Sequence, residues 1–257
     1  MRVQLEGRRA VIVAAHPDDE TAGVGGCLPL LSAPVLVHVT DGAPRDMQCA
    51  SEYGFPTREA YAEARRLELL DALRAGSVEP AELVRFDYVD QEASLHLAEL
   101  AGKLAGLFRR LQPDVVLTHP YEGGHPDHDA TAFAVQAARD SLRDGLKPQI
   151  IEFTSYHNRD GCMETGLFLP AEGVEETVVT LGPADCARKQ RMLHCFRTQQ
   201  AVLSHFGTTE ERFRRAPTYD FGDPPHPGML FYEQFPWGMT GSRWRELARL
   251  ALAVFGC

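Results

Sequence analysis

The chain lacks any run approaching the roughly 20 apolar residues of a membrane span, so no membrane partner is expected. It also lacks a C-x-x-C pair: its six cysteines, Cys27, Cys49, Cys162, Cys186, Cys195 and Cys257, fall at irregular spacings. That argues against a disulfide framework and against a cysteine zinc site, and reads as reduced thiols in a cytoplasmic protein. Positive charge is short as well, with 26 Lys and Arg against 36 Asp and Glu and a formal net charge of −10. A nucleic-acid binder needs a Lys/Arg-rich face to meet phosphates, so nucleic acid is not an expected partner. The first nine residues are polar and run straight into an apolar strand, leaving no room for the apolar region of a signal peptide. There is no internal repeat, low-complexity tract or interdomain linker.

What is present is an ordinary globular composition, 44% hydrophobic and 24% charged over 257 residues, long enough to bury about three quarters of the unfolded surface. Val- and Ile-rich runs at 10–15, 35–40, 83–86, 115–118 and 150–153 read as strands. They alternate with apolar residues at helical spacing over 22–31, 57–75, 94–111 and 129–142. Several runs are apolar almost throughout, as expected when helices cover both faces of a parallel sheet. The expected class is α/β: one Rossmann-like domain spanning 1–257, its mostly parallel sheet flanked by helices, with βα units to 155 and an irregular extension from 156. In that extension 178–181 reads as a strand, 184–203 as one long helix, 208–236 with its five prolines as a loop, and 244–255 as an amphipathic helix.

Two clusters carry the chemistry. The first strand ends in Ala15-His16-Pro17-Asp18-Asp19-Glu20, and the fourth leads into His119-Pro120-Tyr121-Glu122-Gly123-Gly124-His125-Pro126-Asp127-His128-Asp129. In open α/β sheets ligands bind beyond the carboxyl ends of strands. Histidines beside carboxylates there are costly to desolvate unless a cation sits among them. Each cluster alone has a local reading as a helix cap. Together they offer the two His and one Asp of a catalytic zinc site. Gly23, Gly25 and Gly26 do not form G-x-G-x-x-G, and acidic residues occupy the turn a pyrophosphate would need, so a nucleotide cofactor is disfavoured.

The two motifs, with Arg65-Arg66-Leu67-Glu68-Leu69 on the second long helix, resemble the PIG-L/LmbE-like zinc-dependent N-acetyl-sugar deacetylases. The resemblance covers the N-terminal half; beyond 155 only 189–199 and 233–235 are similar. It implies His16, Asp19 and His128 as ligands of Zn2+, with Fe2+ the alternative, Asp18 as general base, and a protonated His125 at the oxyanion. Asp127 then holds the His125 imidazole. The implied reaction removes the N-acetyl group of an N-acetylglucosamine-type sugar or its glycoside, a small-molecule substrate, and a homo-oligomer is compatible with the family. The alternatives are an amidase for a larger acyl group or thiol conjugate, a sugar-binding protein with a metal-supported site, and a metallophosphoesterase, which would want two metals. Arg65 and His157 are candidate substrate contacts, the latter within Tyr156-His157-Asn158-Arg159, which follows the fifth strand at the same rim; a helix-surface pair to Glu68 and a polar turn are their respective local readings. Some relatives carry a tyrosine two residues before the first His of H-P-D-H. Gly123 stands there, leaving Tyr121 as a substitute or the contact missing. His119, Phe235 and Trp237 are candidate pocket walls.

Overall fold

Five apolar runs become the parallel strands β1 (Ala10–Ala14), β2 (Val35–Thr40), β3 (Glu82–Tyr88), β4 (Val115–Thr118) and β5 (Gln149–Phe153) of a computed structural model that describes residues 7–255. Most of the polar start and Cys257 therefore lie outside the described residues, and none of the five described cysteines forms a disulfide. In the sheet these five lie in the order β3-β2-β1-β4-β5, all parallel, and β9 (Glu210–Arg215) and then β8 (Glu176–Thr180) extend it past β5. Between them run α1 (Asp19–Val24), α2 (Gln48–Glu52), α3 (Arg58–Gly76), α4 (Leu97–Leu111) and α5 (Pro126–Asp140).

The burial pattern explains the unbroken apolar strands. Val11 and Val13 of β1 face a core shared with α4 and α5, while Ala10 and Ile12 face the opposite core with α1 and α3. On α4, Leu97, Leu100, Ala101, Leu104, Ala105 and Phe108 keep helical spacing on the buried face. Thr57 caps α3, its hydroxyl accepting the Ala60 N–H at 3.1 Å. The chain leaves β1 towards β2 on one side and enters β4 on the other. The crevice beyond these two strands is thus a topological switch point, the usual place for a ligand.

The C-terminal part departs from expectation. It contributes a hairpin, β6 (Tyr156–Arg159) with β7 (Cys162–Thr165), then β8 (Glu176–Thr180), α6 (Pro183–Leu193), α7 (Gln200–Leu203), β9 (Glu210–Arg215) and α8 (Gly241–Phe255). The expected long helix over 184–203 breaks at 194–199, where Phe196 is buried and Thr198 turns its N–H and hydroxyl onto Glu68 at 3.0 and 2.7 Å. The expected loop over 208–236 begins instead with β9, antiparallel to both β5 and β8. Among the described residues no helix is long and apolar enough to cross a membrane.

Candidate metal centre and active site

Both motifs arrive at the switch point. The β1–α1 turn delivers His16, Asp18 and Asp19, and the loop from β4 delivers His119, His125, Asp127 and His128, with His125 at the N-cap of α5. Asp18 has φ +150° and ψ −27°, a conformation that costs a non-glycine residue about 1–3 kcal/mol and is kept where the surroundings enforce it. Here Glu20 accepts the Asp18 N–H at 3.2 Å and is itself pinned by Thr21 at 2.6 Å and His38 at 2.9 Å. Arg65 donates to both Pro17 O and Asp18 Oδ2, at 3.1 and 3.0 Å.

The three residues of the expected ligand set converge through four atoms. His16 Nδ1 stands 3.2 Å from Asp19 Oδ2 and 3.3 Å from His128 Nε2, and His128 Nε2 stands 3.3 Å from Asp19 Oδ1. Ligands about 2.0–2.1 Å from one tetrahedral ion lie about 3.3–3.4 Å from each other, so the set fits a zinc-sized divalent cation. The surroundings orient the donors. His128 Nδ1 lies 3.0 Å from the Ser155 hydroxyl, and His16 Nε2 lies 3.1 Å from Asp90 and 3.3 Å from Asp127, which leaves His128 Nε2 and His16 Nδ1 facing the centre. Burial, only partly opposed by Asp19, lowers His128 to about 4, so its ring is neutral at neutral pH, as a ligand requires. Asp19 is buried, but His128 and His119 hold it well below the ordinary carboxylate range.

The remaining candidates divide. Asp18 borders the centre, and burial, against the pull of Arg65, pushes it up to about 8. Arg65 is buried at the site; its Nη atoms reach Gly42 O, Pro17 O and Asp18, not Glu68, which instead receives Thr198. Asp127 does not hold the His125 ring as expected. It accepts the Gln91 and Ala93 N–H groups at 2.6 and 3.0 Å and touches His16 at 3.3 Å, while His125 Nδ1, 4.0 Å away, accepts the N–H of Asp127. With Nδ1 engaged as an acceptor, and with burial and His16 pushing its pKa well below the usual value, His125 is placed against carrying the second proton expected of it.

His157 lies off the pocket, buried between Glu122 at 3.5 Å and Glu164 at 3.3 Å. Tyr121 is no substitute for the missing tyrosine: its hydroxyl donates to Asp223 O at 2.9 Å, and its ring stacks on Trp244. Gly123 itself has φ +71°, and a Cβ there would fall 2.6 Å from the Leu230 side chain, so a tyrosine at this position would be strained and would have to displace Leu230. His119 is fully buried and stacked on His128 at 4.1 Å, with Nε2 accepting the Ala15 N–H. Of the 156–159 stretch expected at the rim, Tyr156 on β6 does reach the site, its ring centroid 5.1 Å from that of His128. Sequence reasoning missed Asp90, just past β3. An acidic residue beyond a parallel strand on the same edge was the available sign for Asp90.

These residues line a cavity of about 160 Å³ that opens to solvent, with Gln91, Gln199, Tyr156, Phe206 and Trp237 among its walls. A family model described as PIG-L, GlcNAc-PI de-N-acetylase, matches residues 11–139. A probable N-acetyl-alpha-D-glucosaminyl L-malate deacetylase 2 of Bacillus cereus is 28% identical over 169 residues, covering 61% of this chain and 72% of that protein. A 1D-myo-inositol 2-acetamido-2-deoxy-alpha-D-glucopyranoside deacetylase of Kineococcus radiotolerans is 31% identical over 171 residues, covering 53% and 47% respectively. Among solved structures, the zinc inhibited form of teicoplanin deacetylase Orf2 superposes with a TM-score of 0.62 at 16% identity, covering 82% of this chain and 99% of that one. That last likeness is one of fold.

Proposed function

The chain belongs to the PIG-L family, and from that premise we propose that it hydrolyses the N-acetyl group of an N-acetylglucosamine-type amino sugar or its glycoside in a metal-dependent reaction. The observation that carries the reading is the approach of His16 Nδ1 and His128 Nε2, 3.3 Å apart, to the two oxygens of the Asp19 carboxylate at 3.2 and 3.3 Å, with Asp18 held beside them. Relatives named for deacetylation of glucosaminyl malate and of an inositol glycoside support the substrate class.

His16, Asp19 and His128 would hold the ion, with Zn2+ favoured by two imidazoles and one carboxylate and Fe2+ the alternative. When bound, a divalent ion there supplies Lewis-acid polarisation of the acetamide carbonyl and water acidified towards neutral pH. Asp18 is the base. Arg65 occupies its Oδ2, so Oδ1 takes the proton of the attacking water and later delivers it to the departing amine. A carboxyl lifted to about 8 by burial both accepts and returns a proton near neutral pH. His125 serves as a neutral donor through Nε2–H, aimed at charge developing on the acyl oxygen. Asp127 acts on His16, fixing the tautomer that leaves Nδ1 free.

The test is acetate release from N-acetylglucosamine, diacetylchitobiose and the N-acetylglucosaminyl conjugates of malate and inositol, after chelation and after adding back Zn2+ or Fe2+. Release is expected to vanish on chelation and return with one added ion per chain. An undiminished rate after chelation contradicts the reading, as does no release from any compound by the metal-loaded protein.

A further inference from the structure

The chemistry above leaves the aromatic side of the mouth without a use. Five rings form a continuous arc there. Trp237 leans on His125 with centroids 4.9 Å apart and stacks on Phe235 at 4.6 Å and 16°. Phe235 meets Phe231 at 5.3 Å, Phe231 meets Tyr156 at 5.7 Å, and Tyr156 meets Phe206 at 6.4 Å. Trp237, Tyr156 and Phe206 wall the cavity, and Val202 prolongs the arc beside Phe206. The outer members remain in water: Phe235 is 37% and Val202 39% exposed. The other four rings are half-buried, and a partly exposed aromatic wall favours stacking partners.

The charge at the mouth points the same way. Asp18, Asp19 and Asp90 line the cavity, and Arg65 is the one Lys or Arg among the described lining residues. Both Arg65 Nη atoms are bonded to the protein, and its Nε is buried away from solvent. An anionic aglycone would therefore find carboxylates and no available guanidinium. We propose that the arc from Trp237 to Phe206 is the subsite for an aromatic aglycone, so that the preferred substrate is an N-acetylglucosaminide carrying an aryl group. This rests on the deacetylase reading, and names Trp237, Phe235 and Phe206 as its specificity-determining residues.

Two readouts separate the two claims. The first is kcat/KM for acetate release from phenyl and methyl N-acetylglucosaminides by the zinc-loaded protein; the second, independent of turnover, is calorimetric affinity for the corresponding free amines, phenyl and methyl glucosaminide. The phenyl compound is expected to win by about tenfold in both, the worth of one or two stacked rings. Phe206→Ala and Phe235→Ala each lower that ratio, and the double variant brings it towards one. Tighter phenyl binding without acetate release would uphold the subsite and overturn the deacetylase reading. Acetate release with equal phenyl and methyl constants would overturn the subsite alone, and equal affinities without release would overturn both. Sedimentation velocity on the same samples covers the rival occupant: a dimer dissociated by Phe235→Ala assigns the arc to a second copy of the chain and overturns the proposal.

Discussion

The protein buries two clusters of charge built on opposite terms. Around Arg214, the guanidinium meets Glu152 at 2.7 Å, Glu122 at 3.1 Å, Tyr219 at 3.0 Å and Leu169 O at 2.8 Å, with the Phe168 ring 4.2 Å away. Glu122 also lies beside His157, which reaches Glu164. This cluster closes on itself and ties β5, β9 and the β6–β7 hairpin together. At the ends of β1 and β4, by contrast, Asp18, Asp19, Asp90 and Asp127 gather with Arg65 as the nearby guanidinium, and three histidines crowd together beside an open cavity. Buried like charges are tolerated where a cation or a reaction needs them. The first cluster is architecture, and the second is the one we assign to a metal.

Substitutions sharpen this contrast. The largest effect is expected from Asp18→Asn, which should lower kcat/KM for acetate release about 10²–10⁴-fold while one metal per chain is retained, since a positioned base contributes on that scale. Loss of the metal along with the activity would mean that Asp18 is not acting as the base. Arg214→Leu is expected to destabilise the fold by about 3–5 kcal/mol in urea unfolding, because it strands buried Glu152 and Glu122; a change within error would remove the architectural role. Ser155→Ala should leave unfolding unchanged but weaken metal affinity about 10–100-fold by freeing His128 to rotate, and unaltered affinity in a competition titration would dismiss that contact.

The smallest effect concerns pH. Burial, against the pull of Arg214, raises Glu152 from 4.5 to about 7. The folded chain therefore holds that proton more tightly than the unfolded one. The stability this contributes is complete below about 4.5 and is lost as pH rises through about 7, with a slope of at most about 1.4 kcal/mol per pH unit for one proton. Glu152→Gln should flatten the wild-type decline between pH 5 and 7 in urea unfolding. Parallel profiles for the two proteins would show that Glu152 does not titrate in that window.

The same contrast shows what was legible in the sequence. The parallel strands were readable because both faces of β1 and β4 are buried, which leaves continuous apolar runs. His16, Asp19 and His128 were readable because strand ends next to His-Pro-Asp fix both their place and their chemistry. β9 was hidden: Glu210-Glu211-Arg212-Phe213-Arg214-Arg215 has no apolar alternation, since Arg214 lies opposite Glu152 across β5 and is neutralised there. The β6–β7 hairpin did carry a sign, Asp160-Gly161, both with positive φ, the pair a tight hairpin turn favours. Asp90 had only its place just past β3 as a sign, because it joins His16 through tertiary approach; in the 156–159 stretch it is Tyr156, not His157, that reaches the cavity. Asp127 was found as a site residue but assigned to His125; only the register of the loop after β3, whose N–H groups grip it, turns it towards His16.

The most direct test of the central claim is a calorimetric titration of the chelated protein with Zn2+, run beside His128→Ala and Arg214→Leu. One tight site per chain in the wild type, lost in His128→Ala and kept in folded Arg214→Leu, is the predicted result. Equal binding by the wild type and His128→Ala, or none by either, would contradict the assignment of the metal to the ends of β1 and β4.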